Sequence, residues 1–270
     1  MKQYCLMVLL SLLPAISSAD LALPPPMNAD EIQLSKNEAQ IIGERIWQNE
    51  GAGKDENLVV WNEGEDFPSL GIGHFIWYPA GIEGPFVESF PALLAHLRKQ
   101  VVTPEWLKGV ADAPWSSRAA FYRDINSWRM AELRDLMKNT MPQQVAFIVQ
   151  RLEAALPKML ATLKTEQQRS HVEQQFYRVA RSPNGIYALI DYVNFKGEGV
   201  SPSERYRGEG WGLLQVLQVM NIYDDKVMAA FARAADAVLT RRVSKAPRDE
   251  FRWLAGWRQR IASYRFTSGI

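Results

Sequence analysis

The chain has 270 residues, 47% of them hydrophobic, with 31 Lys and Arg against 30 Asp and Glu for a net charge of +1. So even a balance excludes the basic surplus that marks a nucleic-acid binder, and it offers no cationic glue for an anionic cell wall. The single cysteine, Cys5, excludes an internal disulfide.

Residues 1–19, MKQYCLMVLLSLLPAISSA, combine one charge at Lys2, an apolar run from Leu6 to Leu13, and small residues Ser17 and Ala19. This pattern predicts an export signal cleaved after Ala19, which places the mature chain in the periplasm or outside the cell. The run is too short to cross a bilayer, which takes about 20 residues, so no integral membrane span is expected after cleavage. Cys5 leaves with the signal. Residues 20–33, with Pro24, Pro25 and Pro26, read as an extended linker, and residues 34–270 as one folded domain.

Ser35-Lys36-Asn37-Glu38 has the form of a capping box. Ala39, Ile42 and Ile46 carry helical spacing from there to Glu50, and Gly51 is placed to close the helix in a left-handed conformation. A carboxylate at the negative end of a helix macrodipole is unfavourable, so Glu50 asks for a reason to be there. Beyond it, LVVW, the turn-like NEGEDFP and then SLGIGHFIWY predict a β-hairpin whose turn holds Glu63, Glu65 and Asp66. Two carboxyl groups across a cleft are the minimum equipment for glycoside hydrolysis. Strand alternation would put Phe75 and Trp77 on one hairpin face and Ile76 and Tyr78 on the other, one pair being free to line a cleft.

After residue 88 the periodicity is helical, over 89–100, 103–111, 116–139, 141–163, 165–181, 184–194, 210–220, 223–242 and 247–262. Pro104, Pro142, Pro157 and Pro183 stand near the breaks. The expected class is α+β, predominantly α. The loop 197–212, rich in glycine and charge, offers Glu198, Glu204, Arg205 and Glu209 as binding candidates. No HExxH, cysteine pair or acidic calcium loop occurs, and His96 and His171 have no paired ligands nearby, so neither metal nor cofactor is expected.

The helix, Glu50-Gly51, the hairpin and Ser69-Leu70-Gly71-Ile72-Gly73-His74 together resemble the N-terminal signature of the phage-type lysozymes, muramidases of the lysozyme-like superfamily. The resemblance makes Glu50 the general acid, Ser69 the counterpart of a family Thr, His74 the motif histidine, and Glu63 the second acid, with Glu65 and Asp66 as rivals. Ser for Thr and Glu for Asp are departures from the family pattern. A second match, NGIYALIDYVNFKGEG at 184–199, is similar to the family's central buried helix, and GWGLLQVLQVM and GWRQRI to helices that pack after it. Residues 85–183 have no counterpart and read as a helical insertion.

What the resemblance implies is a hydrolase cleaving β-1,4 bonds of peptidoglycan by general acid/base catalysis, with Glu50, Glu63 and Ser69 in the reaction. His74, Trp77, Glu65 and Asp66 would stand beside the substrate. The partner is then peptidoglycan or a related polysaccharide, without nucleic acid; a protein partner is not specified. Two rivals remain open: a lytic transglycosylase, or a hydrolase of another amino-sugar polymer such as chitosan, with the same fold; and a non-catalytic envelope protein that binds glycan or a partner.

Overall fold

The structure, a computed structural model, describes residues 32–84, 86–202, 204–221 and 226–265. The expected signal 1–19 and linker residues 20–31 lie outside the described residues. Among those described, ten α-helices stand against five two-residue strands, so the architecture is α+β with helix predominating. No described helix is long and apolar enough to cross a membrane.

The chain divides into two compact units, Gln33–Gln150 and Arg151–Ile270, with Ile32 belonging to the second. The division falls inside α5 (Met141–Ala161). Of the expected insertion 85–183, the residues up to 150 belong to the unit that holds the small sheet, and the rest to the unit of the later helices.

In the N-terminal unit, α1 (Lys36–Gly51) opens on the expected capping box. Ser35 Oγ accepts from the Glu38 amide at 3.2 Å, and the Glu38 carboxylate accepts from the Ser35 amide at 2.9 Å. The helix ends later than expected. Gly51 remains helical, and Ala52 (φ 51°) and Gly53 (φ 65°) take the left-handed conformation. Glycine at 51 answers to packing instead, because a Cβ there would sit 2.8 Å from the Trp47 indole. Asn57 Nδ2 then donates to the Gly51 carbonyl at 2.9 Å, satisfying one of the orphan acceptors of the helix end.

Three short antiparallel strands follow in the order β1-β2-β3: β1 (Val59–Val60), β2 (Ser69–Leu70) and β3 (Phe75–Ile76). Ser69 sits opposite Val60 on one side and Ile76 on the other. The expected single hairpin is thus two, with Gly71–His74 as the second turn. Phe75, Ile76, Trp77 and Tyr78 are all buried, so neither face of the alternation is left for a cleft. Trp77 lies 4.6 Å from Phe90 of α2 (Phe90–Leu97) and 6.1 Å from Trp115, and Phe75 lies 5.8 Å from Phe147. The segment 103–111 forms only a 3₁₀ turn at Glu105–Leu107. The expected helix 116–139 is broken into α3 (Arg118–Asp124) and α4 (Trp128–Asn139), because Ser127 Oγ caps α4 by accepting from Met130 N at 3.3 Å.

In the C-terminal unit, α6 (Glu166–Ala180) and α8 (Leu213–Val219) pack with α7 (Gly185–Lys196), and α9 (Val227–Lys245) packs with α6 and α8. Every residue of α7 from Gly185 to Tyr192 is buried. Asp191 fixes this helix to the chain's end, accepting from Arg260 Nε and Nη2 at 2.8 Å each and from the Tyr264 hydroxyl at 2.6 Å. Arg260 lies on α10 (Phe251–Ala262). Where α7 ends, cations and rings alternate: the Arg242 guanidinium lies 5.2 Å from Trp257, Lys196 Nζ lies 3.5 Å from Trp257 and 3.9 Å from Phe195, and Arg260 lies 4.7 Å from Phe195. The two ring faces favour a charged Lys196, but burial and the Arg242 charge outweigh them and push it down to about 6, with Glu250 opposing. Sequence periodicity missed one element here, the hairpin of β4 (Arg205–Tyr206) and β5 (Glu209–Gly210), and residues 223–225 of the expected helix 223–242 lie outside the described residues.

Candidate functional site

The site lies where α1 ends and the three-stranded sheet begins. Glu50 occupies the last turn of α1 and is half-buried. Opposite, the loop after β1 is held by its own aromatic residue. Trp61 Nε1 donates to the Glu65 carbonyl at 2.7 Å, while the Trp61 carbonyl accepts from Arg118 Nε at 2.8 Å and from the Tyr122 hydroxyl at 3.1 Å. Asn62 Nδ2 donates to Glu65 Oε2 at 3.1 Å. The half-buried Glu65 is therefore a positioned carboxylate, fixed by side chain and backbone together. Glu63 differs: it is exposed, in a turn that Gly64 (φ 84°) completes. Asp66 is exposed too, and its charge falls on Tyr78, whose hydroxyl is pushed up chiefly by burial.

His74 closes the second turn in a left-handed conformation (φ 47°), uncommon for a residue with a side chain. Burial pushes its imidazole below the ordinary histidine range, and the negative charges of Glu50 and then Glu65 oppose that push. One imidazole thus feels both carboxylates, one from the helix end and one from the loop. The strained backbone belongs to the same turn, where such strain is often part of a working site.

A residue that sequence reasoning missed builds this turn. Gln144 on α5 is fully buried; its Oε1 accepts from Ile72 N at 3.0 Å, and its Nε2 donates to the Met137 carbonyl at 2.6 Å and to Thr140 Oγ1 at 3.1 Å. Gly71 (φ 67°) faces that amide, and any Cβ at 71 would run into Gln144 Oε1. A glutamine on an otherwise apolar helical face was the available signal.

Ser69 is 3% exposed on the central strand, within the sheet rather than on an open wall. Trp77 has no exposed surface, and its indole N–H donates to the Ala111 carbonyl at 2.8 Å. It is a core residue, and its expected place beside a substrate is corrected: neither ring face is open to a sugar.

The loop 197–212 folds more tightly than a solvated connector. Gln215 reaches into it, donating to the Gly199 carbonyl at 3.0 Å and accepting from Gly212 N at 2.9 Å. Glu198 and Glu204 are buried; burial pushes Glu198 up, and the charges of Lys158 and Arg151 oppose this. Glu209 pairs with Arg241 at 2.7 Å and with Lys245. Among the described residues, no group of three or more His, Cys, Asp and Glu converges as a metal centre requires. No family model, curated protein or solved structure matches the chain.

Proposed function

We propose that the protein is a glycoside hydrolase that cleaves β-1,4 bonds of peptidoglycan in the cell envelope. The observation that carries the reading is the pair of carboxylates, Glu50 and Glu65, whose charges both reach the half-buried imidazole of His74. Glu50 protonates the departing glycosidic oxygen. The second carboxylate activates a water on the opposite sugar face, or stabilises the cationic sugar as its bond breaks. Glu65 takes that role ahead of Glu63, because it is anchored through Asn62 and Trp61 while Glu63 stands exposed in its turn. His74 acts as a positioning residue between them. Ser69 orients water only if that water reaches the central strand.

The test is release of muropeptides from purified sacculi by the wild type and by Glu50→Gln, Glu65→Gln and Glu63→Gln. Loss of the acid should cost about 10²–10⁴ in rate, with Glu65→Gln strongly impaired and Glu63→Gln close to the wild type. Reducing-end sugars indicate hydrolysis. Anhydro-sugars, together with an active Glu65→Gln variant, indicate a transglycosylase, which needs only one acid/base residue. No release by folded wild-type protein would overturn the peptidoglycan-enzyme reading.

A further inference from the structure

The near-zero net charge conceals a strong segregation. Residues 33–150 carry 11 Lys and Arg against 15 Asp and Glu, a net −4. Residues 226–265, which hold α9 and α10, carry ten against three, a net +7.

Much of this basic charge is already committed. Arg258 pairs with Asp236 at 2.6 Å, Arg241 and Lys245 pair with Glu209, and Arg242 pairs with the buried Glu250 at 2.8 Å. The connector between α9 and α10 differs. Arg248 reaches Glu250 only at 3.5 Å and leaves 68% of its side chain exposed. Arg252 is exposed, and its guanidinium lies 4.7 Å from the Trp253 ring. Beside these cations Phe251 is 70% exposed and Trp253 37%. The tip is braced by hydrogen bonds: Glu250, 1% exposed, also accepts from the Tyr206 hydroxyl at 2.8 Å, and Asp249 Oδ1 accepts from Phe251 N at 2.9 Å.

We propose that this tip, formed by Arg248, Phe251, Arg252 and Trp253, docks the protein on an anionic phospholipid surface. The chemistry favours lipid over a soluble polyanion, which needs only charge and has no use for a freestanding phenyl ring. It favours lipid over a sugar chain too, because Trp253 already has the guanidiniums of Arg248 and Arg252 against it, at 5.7 and 4.7 Å, where a sugar ring would stack. A headgroup layer accepts all three components: guanidinium on phosphate, indole at the interface, and phenyl among the upper acyl carbons. The inference does not depend on the glycosidase reading.

The experiment is co-sedimentation of the purified protein, with the N-terminus that the expressing cell leaves on it, with two kinds of vesicle. One is pure phosphatidylcholine; the other contains about a third phosphatidylglycerol, enough to give a negative surface potential. Binding should require the anionic lipid and weaken with added salt. Arg252→Glu and Phe251→Ser should each weaken it, the charge reversal by about tenfold or more, with circular dichroism unchanged because both residues are exposed. Absence of binding, equal binding to both vesicles, or binding that neither variant alters would overturn the proposal. Equally tight capture of soluble polyphosphate, insensitive to Phe251→Ser, would overturn it in favour of a polyanion site.

Discussion

Asp191→Asn tests the anchor of the C-terminal unit. The carboxylate is 3% exposed and accepts hydrogen bonds from Arg260 Nε and Nη2 and from the Tyr264 hydroxyl. Asparagine keeps the shape but removes the charge and turns half of the acceptor into a donor facing a guanidinium. That guanidinium, with only 17% of its side chain exposed, would then meet an amide where it met the Asp191 carboxylate. Breaking one partner of such a pair costs about 3–5 kcal/mol, a large part of a domain's stability. Removing both partners costs far less, so Asp191→Asn/Arg260→Met should recover about 2 kcal/mol or more of the single variant's loss. Urea unfolding followed by circular dichroism gives all four corners of the cycle. A loss below about 1 kcal/mol for Asp191→Asn, or strict additivity in the double variant, would refute the account of α7 as a helix held by a buried ion pair.

Four further outcomes follow from the geometry. Glu50→Gln and Glu65→Gln should each lower the His74 imidazole pKa further, since each removes a charge that favours the imidazolium; titration of the ring resonances by NMR reads this directly, and an unmoved His74 would separate it from that carboxylate. Because the folded His74 value is depressed, the unfolded chain binds the extra proton once pH falls below about 6.5, so stability should decline from there downward, less so in a His74→Gln variant. Lys196→Met should stabilise the protein by about 1 kcal/mol or more at pH 7. From about 6 up to the free-lysine value near ~10.4 the unfolded chain holds a proton that the folded one lacks, so denaturant melts should show this gain shrinking as pH rises through that window. Gly71→Ala should cost about 2 kcal/mol by thermal melting, because the left-handed backbone and the Gln144 amide both oppose a Cβ.

Local signals carried most of the secondary structure. Ser35 and Glu38 announced the start of α1, and apolar spacing announced α5 through α10 to within a few residues at most ends. The errors have physical causes. Gly51 looked like a helix terminator, but its lack of a side chain serves the Trp47 indole, a contact invisible before the chain folds. Trp77 looked like a sugar platform because an aromatic residue on a short strand reads the same whether a helix covers it or not; α2 covers it. Glu65 and Glu63 are indistinguishable in a turn-like string, and the hydrogen bonds of Asn62 and Trp61 separate them. Gln144 stands far along the chain from Ile72, and no local pattern links an amide on one helix to a glycine turn.

The alternating stack of Arg242, Trp257, Lys196, Phe195 and Arg260 determines how the chain tolerates shortening. A stop codon just before Phe251 would look mild, since it trims a terminal helix with an exposed outer face. It would also strip Asp191 of Arg260 and Tyr264, and strip Lys196 and Arg242 of the Trp257 ring between them. The Asp191 carboxylate then stays buried without the Arg260 guanidinium and Tyr264 hydroxyl that hold it, so the truncated product should be cleared by proteases rather than persist as a slightly smaller protein.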